Sequence, residues 1–201
     1  MTDADTGIRP HANQTRSRLL DAALTAFAER GFHATSTRDI AAAAGMSPAA
    51  VYVHHRSKEE LLHQISRRGH EATLELVRSA TAGSEDPVTQ LSEVVRAFAV
   101  HHAQANTEAR VVNYELASLS EEHLAEILRL RREIAAELRG VVERGVAGGA
   151  FDTPDPRMAT TALLSLGIDI ARWYREERDW SPEDVGAYYA ELALRMVGAP
   201  R

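Results

Sequence analysis

Apolar side chains in the first third of the chain recur at helical intervals and are cut off by residues that end helices. Leu19, Leu20, Ala23, Leu24 and Phe27 form one stripe that begins near Thr15 and stops at Gly31, with Phe32 following as a core plug. Ile40, Ala41, Ala44, Met46, Val51 and Leu61 then close a small core around two short helices, about 37–44 and 48–54. Gly45 lies between them, where the chain must leave a helix in the left-handed conformation that suits glycine. Ser47 caps the second short helix and Pro48 takes its first position, where a missing backbone donor costs nothing. Ser57 with Glu60 three residues on is a capping-box signature, so a longer helix starts near Lys58 and runs to about residue 80 through Leu61, Leu62, Ile65 and Leu74.

Past the break TAGSEDP, the period stays helical over about 87–105, 108–119, 121–145, 157–175 and 182–197, with GVAGGAFDTPDP as the other long turn. Asp86-Pro87, Asp155-Pro156 and Ser181-Pro182 repeat the cap-then-proline start of Ser47-Pro48. No strand alternation, repeat or low-complexity tract interrupts. The pattern predicts an all-α chain of about nine helices: an arm at 1–12, a three-helix module at 13–58 and a helical body at 59–201.

Charge divides the same way. The 201 residues carry 23 Lys+Arg against 29 Asp+Glu, a formal net charge of -6, which by itself argues against nucleic acid. Between positions 9 and 58, however, Arg9, Arg16, Arg18, Arg30, Arg38, Arg56 and Lys58, the sole lysine, face only Asp21, Glu29 and Asp39. A basic module on an acidic body presents one end to phosphates and keeps the other away. The absence of cysteine excludes disulfides, thiolate nucleophiles and thiolate metal sites. No apolar run approaches the roughly 20 residues that cross a bilayer, and MTDADTGIRPHANQ lacks the apolar centre of a secretion signal, so no membrane partner and a cytoplasmic placement are expected.

Two short helices and a tight turn are the grammar of a DNA reader. A helix laid in the major groove needs phosphate anchors on its flanks and little bulk at its leading end. Ser47, Pro48, Ala49 and Ala50 supply the small leading end; Tyr52, His54, His55 and Lys58 follow on the same rim, and Thr35, Ser36, Thr37 and Arg38 stand at the front of the preceding helix. These twelve residues are the expected DNA contacts, and Arg9 is a further candidate for a minor groove. Read as metal ligands, His54 and His55 fail, because helix neighbours diverge by about 100°.

The segment from about Thr15 to Leu62 resembles the N-terminal domain of the TetR family of transcriptional repressors. Its Thr37, Arg38, Asp39, Ile40, Ala41, Ala44, Gly45, Met46, Ser47, Val51, Tyr52, His54, Ser57, Lys58, Glu59 and Leu61 match the family pattern in register, with His55 standing where the family usually has Phe. The resemblance implies a homodimer on a palindromic double-stranded DNA operator, a helical C-terminal effector domain, and repression relieved by a small molecule. ARVVNYELASLSEEH and the RWY followed by SPED resemble a branch of that family that senses acyl-CoA thioesters.

The segment LLSLGIDIARWY is apolar on nearly every side and should be buried against more than one partner. Paired antiparallel with the last helix, it supplies the expected dimer face: Leu163, Leu166, Ile170, Val185, Tyr188, Tyr189, Leu192 and Met196. Asp169 and Arg172 interrupt that run three residues apart, as a local ion pair or as part of an anion site with Trp173 and Arg175. His101, His102, Asn113 and Tyr114, with Glu115, are the other candidate ligand contacts; His102, Glu115 and His123 are an alternative metal set. No cofactor is called for. The nine histidines and many carboxylates also admit a helical-bundle enzyme, but no phosphate loop, nucleophile elbow or spaced His-Glu motif supports one. A regulator that activates, or that answers to a protein partner, has the same sequence signature.

Overall fold

The computed structural model describes the backbone of residues 8–176 and 180–200, with side chains from Gln14 onward except that of residue 54. Among the described residues nine α-helices follow in order: α1 Ile8–Arg30, α2 Thr37–Ala43, α3 Pro48–His54, α4 Lys58–Ala82, α5 Pro87–Gln104, α6 Asn106–Tyr114, α7 Glu121–Ala147, α8 Pro156–Trp173 and α9 Pro182–Met196. A 3-10 turn, Leu116–Ser118, joins α6 to α7, and the described residues contain no strand. Two helices depart most from expectation. The helix of α1 already includes residues 8–12, and the helix expected at 108–119 starts at Asn106 and ends at Tyr114. Past the 3-10 turn the backbone is extended at Leu119 and Ser120, and the Ser120 N–H is held by the Glu59 carboxylate at 2.8 Å.

The caps explain the remaining boundaries. Ser36 and Asp39 form a reciprocal capping box on α2, and Ser47, Ser57, Asp86, Ser120, Asp155 and Ser181 each accept a backbone N–H at a helix start. Gly45 takes φ 68 between α2 and α3, as the sharp turn requires.

The stripe of α1 packs Leu19, Ala23 and Phe27 onto Ile40 and Ala41 of α2, Val51 of α3 and Leu61 of α4, all at most 1% exposed. Each of the Leu, Ile, Val and Phe side chains contributes about 1.5–3 kcal/mol by leaving water. From there α4 runs into the body, where it packs on α5, α6 and α7. The expected pairing of α8 with α9 is largely indirect: α9 lies along α5, and α8 rests on α5, α6 and α7. Leu163, Ile170 and Val185 are therefore at most 6% exposed inside the protomer and cannot form an outer dimer face, which corrects their assignment. Tyr189, Leu192 and Met196 are half-buried, while Leu166 and Tyr188, like Met158 and Trp180, are exposed.

Candidate DNA-reading surface and effector cavity

At the tip of the molecule, Ser47, Pro48 and Ala49 are exposed and Ala50 is partly so, leaving the leading end of α3 open. The Ser47 hydroxyl is committed to the Ala50 N–H at 3.3 Å, and that of Ser36 to the Asp39 carboxylate at 2.6 Å. Thr37 and Tyr52 meet through their hydroxyls at 3.3 Å, which ties the front of α2 to α3 with the Tyr52 ring still 58% exposed. Arg38 is exposed alongside. Val53, which the sequence reading passed over, is 79% exposed; with Val51 fully buried, the 100° step of a helix turns residue 53 outward. The side chain of His54 lies outside the described residues, as does that of Arg9.

Three expected contacts are corrected. Thr35 is buried, and its hydroxyl donates to the carbonyls of Gly31 at 2.9 Å and Ala26 at 3.1 Å. His55 is buried at the end of α3, its Nδ1 facing the Gln64 amide at 3.4 Å, so the imidazole occupies a core position. Lys58 directs its ammonium inward: it donates to the carbonyls of Phe32 at 2.8 Å, Thr35 at 2.9 Å and His33 at 3.4 Å, and lies 4.3 Å above the Phe32 ring. An ammonium has three N–H donors, so this cation clamps the loop before α2 and has none left for phosphate.

Inside the body a cavity of about 240 Å³ opens between five helices. His70 and Thr73 line it from α4, Phe98 and His102 from α5, and Val112 and Asn113 from α6. Arg131, Ile134 and Ala135 come from α7, and Thr161, Leu164, Ser165 and Ile168 from α8. Its polar groups are ordered. His70 Nδ1 meets the Ser66 carbonyl at 2.8 Å and His102 Nδ1 the Phe98 carbonyl at 2.9 Å. A carbonyl only accepts, so both Nδ1 atoms carry the proton. Burial pushes both imidazoles down to about 4 despite those bonds, so at neutral pH each Nε2 is a lone-pair acceptor. Arg131 donates to Asn113 Oδ1 at 3.0 Å and approaches His70 Nε2 at 3.4 Å; burial holds its guanidinium below the ordinary value.

The expected ligand set is split by the fold. His102 and Asn113 reach the cavity. Tyr114, Arg172 and Arg175 instead line a separate surface cleft with Arg110, beside the end of α1. Asp169 forms the ion pair with Arg172 at 3.2 Å and accepts from the Tyr114 hydroxyl at 3.4 Å, while Arg175 donates to the carbonyls of Arg172 and Tyr174. Trp173 joins an aromatic groove with Trp180, Tyr188 and Tyr189, and His101 packs edge-on against His102 without facing the cavity. His102, Glu115 and His123 are not brought together, and no described trio of such residues forms a metal site. His70, Thr73 and Arg131 were missed, for each reads as an ordinary helix residue until distant helices converge on it.

Two links run from the body to the tip. Arg110 of α6 donates to the Ala28 carbonyl near the end of α1 at 3.0 Å, and Glu59, in the first turn of α4, binds both Ser120 and His123 of α7.

An exposed two-helix reading head, carried on a helical body that encloses a cavity, defines a DNA-binding transcriptional regulator. This chain belongs to the TetR family. Residues 19–65 match the signature of bacterial regulatory proteins of the tetR family, and residues 84–197 match that of the tetracyclin repressor-like C-terminal domain. The chain is 29% identical over 187 residues to the HTH-type transcriptional repressor KstR2 of Rhodococcus jostii strain RHA1, covering 92% of each chain. Among solved structures, a tetR-family regulatory protein from Rhodococcus RHA1 superimposes with a TM-score of 0.90 at 40% identity, over 94% of this chain and 99% of that one. AibR, solved in complex with isovaleryl coenzyme A and operator DNA, shares the fold at a TM-score of 0.83 and 22% identity, over 92% of this chain and 100% of its own. These relatives are regulators, not enzymes, and no described helix is long and apolar enough to cross a membrane.

Proposed function

We propose that this chain is a ligand-responsive repressor that binds a palindromic operator as a homodimer in the cytoplasm and leaves it when a small molecule enters the cavity. The observation that carries the reading is the double duty of α4 and α6: both wall the cavity, and both hold the reading head, α4 through Lys58 to the carbonyls of Phe32 and Thr35 and α6 through Arg110 to α1. A ligand that fits a wider spacing of α4 and α6 from α7 lowers operator affinity by its differential affinity for the two states.

On the DNA, the N-terminal end of α3 enters the major groove, with Ser47, Pro48, Ala49 and Ala50 leading and Val53 placed for a thymine methyl. Thr37, Arg38, Tyr52 and His54 contact phosphates, while Ser36, with both donors on the Asp39 carboxylate, holds the front of α2. Two copies meet through the outer faces of α8 and α9, where Leu166 and Tyr188 are exposed, with Tyr189, Leu192 and Met196 alongside. This sets the heads about 34–36 Å apart for successive major-groove faces. An acyl-CoA is the effector class this architecture favours: AibR combines isovaleryl coenzyme A and operator DNA on the same fold, and the cleft of Arg110, Arg172 and Arg175 offers cations for phosphates.

Fluorescence anisotropy on the DNA flanking its own gene, with light scattering for mass, tests this. The expected result is a dimer that shifts a palindromic fragment and releases it on addition of an acyl-CoA. A monomer, or a dimer with no preference for any flanking fragment, overturns the reading.

A further inference from the structure

The cavity wall holds a charge without a countercharge. Arg131 is half-buried, its donors reach only Asn113 and the neutral His70, and no ion pair to it exists among the described residues. A guanidinium taken out of water without a carboxylate is costly unless something else supplies the anion. His102 poses the complementary demand. It is 3% exposed and its Nδ1–H is spent on Phe98, while its Nε2 has no hydrogen-bond partner among the described residues and accepts only from a donor. Phe98, Val112, Ile134, Leu164 and Ile168 make the apolar part of the wall, and the hydroxyls of Thr73, Thr161 and Ser165 donate to carbonyls of their own helices.

Building on the effector reading above, we infer that this cavity takes a compact hydroxylated organic acid, its carboxylate on Arg131 and its hydroxyl donating to His102. Size follows from volume. An apolar cavity of about 150 Å³ holds benzene, so about 240 Å³ admits a group of roughly ten non-hydrogen atoms. The carboxylate arrives either as a free acid or at the far end of a longer acyl chain that leaves through the mouth beside the exposed Thr161 and Ser165.

The probes are 3-hydroxybenzoate, benzoate and 3-hydroxybenzyl alcohol for the free acid, and glutaryl-CoA against valeryl-CoA for the chain-borne one, titrated calorimetrically into the full-length dimer. The expected order places 3-hydroxybenzoate above both analogues, each weaker by about tenfold or more for the lost polar contact. Arg131→Gln removes binding of the acid, and His102→Phe removes only the advantage of the hydroxyl. Ala135→Leu, which fills the cavity without touching a polar group, abolishes binding of every probe. Preference for glutaryl-CoA over valeryl-CoA, with the small acids silent, assigns the carboxylate to a longer chain. Tight valeryl-CoA binding that survives Arg131→Gln overturns the inference and leaves the acyl-CoA repressor standing. No binding by any probe also overturns it, and operator binding by the unliganded protein then judges the repressor reading separately.

Discussion

The imidazoles of His63 and His123 lie face to face, 3.7 Å between ring centroids and 3° from parallel, and each is held by a carboxylate of the opposite helix. His63 Nε2 meets Glu126 Oε2 at 2.8 Å and His123 Nδ1 meets Glu59 Oε1 at 2.8 Å, so α4 and α7 exchange two pairs across one stack. Burial pushes the Glu59 carboxyl up, but the Ser120 N–H and His123 more than offset it and the net shift is downward. A lowered carboxylate contributes stability that is full above its ordinary value and is lost as pH falls through the lowered one. Glu59→Gln should therefore destabilise the fold by about 1–3 kcal/mol in urea unfolding near pH 7, with the difference shrinking in acid. An equal loss at every pH would remove the ionic part of this account.

The cavity histidines give a second pH dependence. Burial, stronger than the Nδ1 bonds, lowers His70 and His102 from 6.5 to about 4. Below 6.5 the unfolded chain takes up these protons and the folded chain does not, so stability is full above that value and falls between 6.5 and 4. The loss is on the order of 3 kcal/mol per imidazole. Thermal melts across that range should show the decline, and His70→Gln with His102→Gln should flatten it.

Lys58 separates a structural cation from a DNA anchor. Lys58→Met keeps the aliphatic stem over Phe32 but strips the donors from the carbonyls of Phe32 and Thr35, at a cost of about 1–3 kcal/mol. The salt slope of operator binding should be unchanged in this variant and fall by about one in Arg38→Ala. A reduced slope without lost stability in Lys58→Met would return the residue to the phosphate backbone.

Gly167 sets the shape of the effector cavity from behind. A Cβ there would lie 2.6 Å from the Phe98 ring, which forms part of the cavity wall. Gly167→Ala gains up to about 1 kcal/mol of helix propensity, but displacing the ring costs about 1–3 kcal/mol. The variant should unfold earlier and respond more weakly to effector while keeping its affinity for operator DNA. Unaltered effector titration would mean that Phe98 has room to yield.

The nine helices and the reading head were legible in the chain because their signals are local: a cap, a proline or a glycine is read from its neighbours, and the stripe from Leu19 to Phe27 repeats within one element. Exposure of Ser47 to Ala50 and of Tyr52 followed from the same short-range rules. What only the tertiary structure decided depends on convergence of distant segments. Burial of Thr35 and His55, the inward turn of Lys58 onto Phe32, and the split of the ligand set between cavity and cleft are set by which faces α1, α4 and α6 present to one another. His70 and Thr73 share one turn of α4 but lie far from Arg131 of α7 in sequence, and the three carry no shared motif, so nothing along the chain marks them. Leu163, Ile170 and Val185 fit a dimer seam by period alone, but a helical stripe states that a side chain is buried without saying by what. That answer came from α5, which lies against both α8 and α9 and takes those side chains into the protomer's own core.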